Sequence, residues 1–209
     1  MAMDGAVTAS RRSAVVRLAD VAREVLAGPP RLGAVRLVCI DGRAGAGKST
    51  LAGRLASFLG DAQIVHLDDL YEGWSGLPRV WDRLDSWVLQ PLRANFRGRY
   101  QRYDWESGSY AEWHDVPVRP ALIVEGVGSA DRAIDHLSTL KMWVDAPLDV
   151  RYRRAIERDG EGFRPYWDAW AADEDLHFAR ERTAERADVV VDGDSALAYD
   201  EETEIVILG

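Results

Sequence analysis

The sequence predicts an α/β protein built on a mostly parallel central sheet with helices on both faces. Three observations predict it. Short apolar runs alternate with helix-like runs along most of the chain, which implies right-handed crossovers and a sheet covered on both sides. The 209 residues are 47% hydrophobic and 29% charged, a globular composition long enough for one sizeable core. No internal repeat or low-complexity segment interrupts the alternation. One domain is therefore expected over residues 1–209.

The elements follow in order. Residues 1–30 read as an N-terminal helix packed on the domain, because Val15, Leu18, Ala22, Val25 and Leu26 recur at helical spacing with Asp20, Arg23 and Glu24 between them. Arg11 and Arg12 are followed by no unbroken apolar stretch, so no secretory signal is expected; an arginine-rich transit peptide is the alternative. "GPPRLG" (28–33) breaks the helix. Strands are expected at 34–41, 62–69, 119–126, 140–147, 187–193 and 204–208. Helices are expected at 48–60, 83–96 (with a break near Pro91), 129–137, 148–159 and roughly 168–187. Residues 97–118 are aromatic and strand-poor by pattern, and read as an insertion over the sheet edge.

Composition bounds the partners. The net charge of −9 argues against wholesale binding to nucleic-acid phosphates, though not against a small anion in a local basic pocket. The lone Cys39 allows no internal disulfide; Val38 and Ile40 beside it make it a buried strand residue, and a reducing, cytoplasmic setting is expected. No run approaches the roughly 18 apolar residues of a membrane span.

The densest signal is Gly42-Arg43-Ala44-Gly45-Ala46-Gly47-Lys48-Ser49, which fits G-x-x-x-x-G-K-[ST], the P-loop, between an expected strand and an expected helix. Its glycines let backbone N–H groups converge on a phosphate, and the helix N-terminus adds its positive dipole end. Gly42, Ala44, Gly45, Ala46, Gly47, Lys48, Ser49 and Thr50 are the expected nucleotide contacts. Lys48 is expected to reach the β- and γ-phosphates and Ser49 to ligate Mg²⁺. ATP with Mg²⁺ is the expected cofactor pair, and the fold class sharpens to a three-layer P-loop NTPase with a small lid. "HLDDLYEGW" (66–74) should end the second strand at the carboxyl edge of the sheet, where open α/β sheets bind ligands. The same residues also suit a solvated loop with a helix cap at Asp69.

The order P-loop, "DDLY", "RYDW" (102–105), "IVEG" (123–126) and "RYRRAIERD" (151–159) resembles the uridine kinase and phosphoribulokinase group of small-molecule kinases, over about residues 34–192. The resemblance implies Asp68 as the general base, with Tyr71 and Trp74 following it. It implies Tyr103 and Asp104 in the acceptor site with Asp85 nearby, and Arg151, Arg154 and Arg158 on an arginine helix leading into a lid at about 159–170. The family's E-G block falls on Glu125 at the end of an apolar strand, where it either holds Mg²⁺ beside Ser49 or is a buried carboxylate satisfied by backbone N–H groups. Lys48, Asp68, Arg154 and Arg158 form the expected catalytic set. The chain departs from the family pattern in two places. Ser107 and Gly108 stand where uridine kinases carry a pyrimidine-reading histidine, and only Arg164 follows Asp159 where the lid usually holds two arginines.

Five of the eight tryptophans (Trp74, Trp81, Trp87, Trp105 and Trp113) fall where this family builds its acceptor pocket, and an aromatic wall suits a flat acceptor; core filling beneath an insertion explains any single one equally well. His66, His136 and His177 read as structural or exposed, without metal-site spacing. The expected function is transfer of the ATP γ-phosphoryl to a hydroxyl of a nucleoside or similar small acceptor, in a chain that can be a homo-oligomer. The alternative is a P-loop ATPase or nucleotide-binding regulator without a small acceptor. A GTPase is disfavoured by the absence of N-K-x-D, and a transporter ATPase by the absence of L-S-G-G-Q.

Overall fold

The computed structural model describes residues 13–209, so Arg11 and Arg12 lie outside the described residues. Within the described residues, β1 (Ser13–Arg17) comes first and α1 (Leu18–Ala27) follows, which corrects the expected helix at Ser13–Arg17; residues 1–12 of that helix lie outside the described residues. Val15 lies on the strand, opposite Val206. Consecutive β-branched residues, Val15 and Val16, favour a pleated edge over a helix turn. The α1 face of Leu18, Val21, Ala22 and Val25 is buried as its spacing requires.

β2 (Arg36–Asp41) runs into the glycine-rich loop and α2 (Lys48–Leu59), then β3 (Gln63–His66). β3 stops earlier than expected: Leu67–Asp69 form a 3₁₀ turn. A helical stretch follows as α3 (Val80–Leu84), a π turn over Asp85–Leu89, and α4 (Gln90–Arg93). Pro91 lacks the N–H that would bond residue 87, and the helix widens just ahead of it, with Gln90 N–H bonding the Asp85 carbonyl. Residues 97–118 are not strand-poor. They fold into a separate antiparallel hairpin, β4 (Gly98–Asp104) and β5 (Ser109–Val116).

β6 (Ala121–Glu125) is buried at every position. The helix expected at 129–137 is reduced to a 3₁₀ turn at Arg132–Ile134, where the Asp131 carboxylate accepts the Ala133 N–H at 2.8 Å. β7 (Ser138–Asp145), α5 (Leu148–Asp159), α6 (Arg164–Glu181), α7 (Thr183–Arg186), β8 (Val189–Asp192) and β9 (Glu204–Leu208) complete the chain.

The main sheet has the order β1-β9-β8-β7-β2-β6-β3. The run β8-β7-β2-β6-β3 is parallel, and β9 and β1 add antiparallel strands at one side. β2 lies inside the sheet and alternates cleanly. Val38 and Ile40 pack with α1 and α2, while Leu37 and Cys39 pack with the segment 67–92 and with Phe163, Trp167 and Trp170. Burial on both faces is why these strands read as unbroken apolar runs. Among the described residues, no helix is long and apolar enough to cross a membrane.

Candidate active site

The carboxyl ends of β2, β6 and β3 lie side by side, because Ile40 pairs with Glu125 and Glu125 with His66. Everything polar at this edge follows from that register. β2 delivers the glycine-rich loop, β6 delivers Glu125, and β3 delivers His66 and the turn carrying Asp68 and Asp69.

The loop needs its glycines. Gly45 has φ +76°, and a Cβ there would stand 2.1 Å from the Arg151 carbonyl oxygen. Gly47 has φ +103° and precedes the first turn of α2, so backbone N–H groups and the dipole end of α2 converge there. Lys48 Nζ donates to the Arg43 carbonyl at 2.9 Å, spanning the loop from within.

Ser49 Oγ donates to Glu125 Oε1 at 2.9 Å, and His66 Nδ1 meets the same oxygen at 2.5 Å. Burial pushes the Glu125 carboxyl up, but His66, Lys48 and Ser49 outweigh it and hold its pKa below the ordinary glutamate value. The His66 imidazole is raised, first by its hydrogen bond to Glu125. A hydroxyl and an ionised carboxylate in contact beside a phosphate loop form an oxygen donor pair that suits Mg²⁺, a hard cation that keeps several waters. Ser49 and Glu125 are therefore the residues fitted to hold it.

Lys48, Ser49, His66, Asp68, Asp69 and Glu125 share one cavity of about 610 Å³ with an aromatic wall: Tyr71, Trp74, Tyr103, Trp105, Phe163 and Trp170. The two adjacent aspartates differ. Asp69 accepts the Tyr100 hydroxyl at 3.0 Å, which ties it to the hairpin. The Asp68 carboxylate faces Arg158 at 3.9 Å, reached by solvent through the cavity mouth yet ringed by protein. Desolvation raises its pKa, and Arg158 opposes that rise.

The aromatic residues divide by role. Tyr71 is buried and donates its hydroxyl to the Val127 carbonyl at 2.7 Å, so it builds the wall. Trp74 stacks on Phe163 at 4.7 Å and on Tyr166 at 5.0 Å, pinning the start of α6 over the cavity. Tyr103 meets Trp105 edge-on, and the Trp105 indole N–H bonds the Asp68 carbonyl at 2.9 Å.

Three expected site residues lie elsewhere. Asp85 sits in the π turn and accepts Gln90 Nε2 at 2.7 Å, outside the cavity lining. Asp104 closes the hairpin turn, accepting the Glu106 N–H at 3.3 Å; a Ser107 hydrogen bond lowers its pKa. Arg154 points to the other side of the glycine-rich loop, bonding the Gly193 carbonyl at 2.9 Å and Asp194 at 3.0 Å. There it lines a second cavity of about 280 Å³ with Ala46, Gly47 and Thr50. Ala44, Lys48 and Ser49 thus face the aromatic cavity, and Ala46, Gly47 and Thr50 the second. Gly42 lies against β7, where a Cβ would meet the Val144 carbonyl oxygen.

Sequence reasoning passed over four residues at this edge. His66 ends β3 and Asp68 lies in the 3₁₀ turn just after it, so both reach the cavity from one strand end. Asp41 is fully buried and accepts the N–H groups of Gly42, Gly128 and Ala130 at 2.8, 2.9 and 3.0 Å; burial pushes its pKa up to about 6. Arg102 reaches the cavity, paired with Glu112. Glu174 lies on the buried face of α6 with Trp167, Trp170 and His177, a helical spacing that was open to reading.

No family model matches the chain. A uridine kinase of Borrelia duttonii is 24% identical over 139 residues, covering 60% of this chain and 68% of that protein. A cytidylate kinase of Natronomonas pharaonis is 31% identical over 123 residues, covering 59% of this chain and 58% of that one. In fold, a possible uridine kinase from Bacillus stearothermophilus superposes with a TM-score of 0.59 at 23% identity, over 83% of this chain and 96% of that one. The chain is similar to uridine kinases in sequence, and its fold is that of P-loop kinases. A putative fructose transport system kinase from Silicibacter shares the uridine kinase-like fold too, with a TM-score of 0.53 at 22% identity, over 82% and 95% of the two chains. The sheet places the P-loop, Glu125 and the turn carrying Asp68 on one edge.

Proposed function

We propose that this kinase transfers the γ-phosphoryl of ATP to a hydroxyl of a flat, unphosphorylated small molecule such as a nucleoside. One observation carries the reading: Lys48, Ser49, Glu125 and Asp68 share a single cavity with the aromatic wall. Donor-phosphate chemistry and an acceptor surface therefore meet in one cavity.

The chemistry follows from the charges. The acceptor oxygen attacks the γ-phosphorus, the bond to the β–γ bridging oxygen breaks, and ADP leaves. Asp68 takes the hydroxyl proton, and its raised pKa makes it a stronger base than a free aspartate. Lys48 and Arg158 offset charge on the transferring group. Mg²⁺, held by Ser49 and Glu125, supplies further neutralisation of the phosphates when bound. The aromatic wall excludes water and orients a planar acceptor.

The preference for an unphosphorylated acceptor rests on the arginines. Arg102 is committed to Glu112 through two hydrogen bonds, and Arg158, assigned to the transferring group, is tied to Asp159 through two more. Asp68 and Asp69 add negative charge to the same space. A phosphate or carboxylate on the acceptor would meet a guanidinium already paired with Glu112 and the negative charge of Asp68 and Asp69. The test is a panel of nucleosides, nucleoside monophosphates and small alcohols with ATP and Mg²⁺, read by product mass. A phosphorylated nucleoside or alcohol product is expected. Acceptor-independent ATP turnover would place the chain among plain ATPases instead.

A further inference from the structure

A carboxylate beside a phosphate site is electrostatically costly, since it repels the anion the site must take. Glu174 is such a carboxylate. It is 1% exposed, and it lies against the first half of the P-loop, not against solvent. Its Oε1 accepts the Ala44 backbone N–H at 2.7 Å and the Trp170 indole N–H at 3.0 Å. Oε2 lies 3.6 Å from Arg43, whose other terminal nitrogen is 2.6 Å from Asp175 and whose guanidinium sits over the Phe178 ring at 5.5 Å. From α5, Arg151 donates to the Ala44 carbonyl at 3.4 Å. The P-loop is thus gripped at Arg43 and Ala44 from outside by α6, while Lys48 holds Arg43 from inside.

One oxygen of Glu174 therefore joins a P-loop N–H to Trp170, a residue of the aromatic wall. Resting on the phosphotransferase reading above, we propose that Glu174 is a positioning residue: by hydrogen-bond geometry it fixes the front of the P-loop for the nucleotide phosphates and ties it to the acceptor wall. The two properties of Glu174 then act in opposite directions. Its geometry favours phosphate binding, and its charge opposes it.

That opposition can be separated by two conservative variants. Glu174→Gln keeps an acceptor oxygen within reach of Ala44 N–H and removes the charge. Glu174→Asp keeps the charge and withdraws the oxygen by one methylene. Binding of the Mg²⁺ complex of a β,γ-imido ATP analogue is measured by calorimetry, and amide hydrogen exchange is read over residues 43–47. The expected result is Glu174→Gln binding within about threefold of wild type or tighter. Glu174→Asp binds about tenfold or more weakly, the loss of a charged hydrogen bond, with faster exchange in 43–47 and unchanged exchange in the sheet. Equal binding by Glu174→Asp and wild type overturns the proposal. So does a Glu174→Gln loss as large as that of Glu174→Asp, which would make the charge the working element, or unfolding of both variants, which would make Glu174 a stability residue only. A wild-type chain that binds no nucleotide removes the phosphotransferase reading itself and any phosphate role with it, an outcome distinct from wild-type binding that Glu174→Asp leaves unchanged.

Discussion

At the scale of single residues, two adjacent aspartates with different surroundings carry the proposed chemistry. Asp69 is held by Tyr100, and Asp68 faces the cavity and Arg158. Asp68→Asn is expected to lower kcat by about 10²–10⁴, the worth of a positioned base, while nucleotide affinity survives. Asp69→Asn is expected to cost far less, because an amide oxygen still accepts the Tyr100 hydroxyl. Comparable losses in both variants would contradict the assignment. The pH dependence has a definite sign. The proposed chemistry needs the Asp68 carboxylate, whose pKa is raised above the ordinary aspartate value by desolvation, so the acid limb of kcat/KM against pH should sit above that value too. Arg158 pulls that pKa down, and Arg158→Ala should therefore shift the acid limb to higher pH. A shift to lower pH would show that a different group titrates.

At the scale of elements, the register of β2, β6 and β3 builds the site, and a single buried carboxylate fastens it. Asp41 bonds the loop after β2 and the loop after β6 through three backbone N–H groups. Asp41→Asn turns an amide nitrogen toward one of those donors and should destabilise the fold by about 1–3 kcal/mol, read by denaturant unfolding. Because burial raises the folded pKa of Asp41 to about 6, the stability that protonated Asp41 contributes is fully present below the ordinary aspartate value and is lost as pH rises through about 6. The wild-type advantage over Asp41→Asn should accordingly change with pH across that window and be flat above it. The alternating elements were legible because buried strands read as apolar runs and the glycine loop breaks them. The hairpin at 98–116 was not. Its residues are mostly half-exposed and polar, so no apolar alternation marks it, and cross-strand pairs such as Arg102 with Glu112 define it only once it is folded. The strand at Ser13–Arg17 was hidden for a related reason: its burial is low, and its partner is the last strand of the chain.

At the scale of the whole molecule, the glycine-rich loop divides two cavities, one aromatic and one lined by Arg154, Thr50 and the loop after β8. The motif made the phosphate loop plain in the sequence, and Asp68 stood out as the residue ending an apolar run. The directions of Asp85, Asp104 and Arg154 were not legible, since they depend on a π turn, a hairpin turn and a contact with Gly193 formed late in the chain. A ligand that binds only the folded chain stabilises it by mass action, about 2.7 kcal/mol at a hundredfold excess over Kd. Mg²⁺ with ATP should therefore raise the unfolding temperature of wild type and of Asp68→Asn alike, and raise it much less for Lys48→Ala, which is expected to stay folded and lose transfer. The most direct measurement is ATP consumption with and without nucleosides, together with the mass of the product, for wild type beside Asp68→Asn. Wild type should consume ATP in proportion to a phosphorylated acceptor, and Asp68→Asn should bind ATP without forming that product. ATP turnover independent of any acceptor, equal in both chains, would contradict a phosphotransferase built on Asp68.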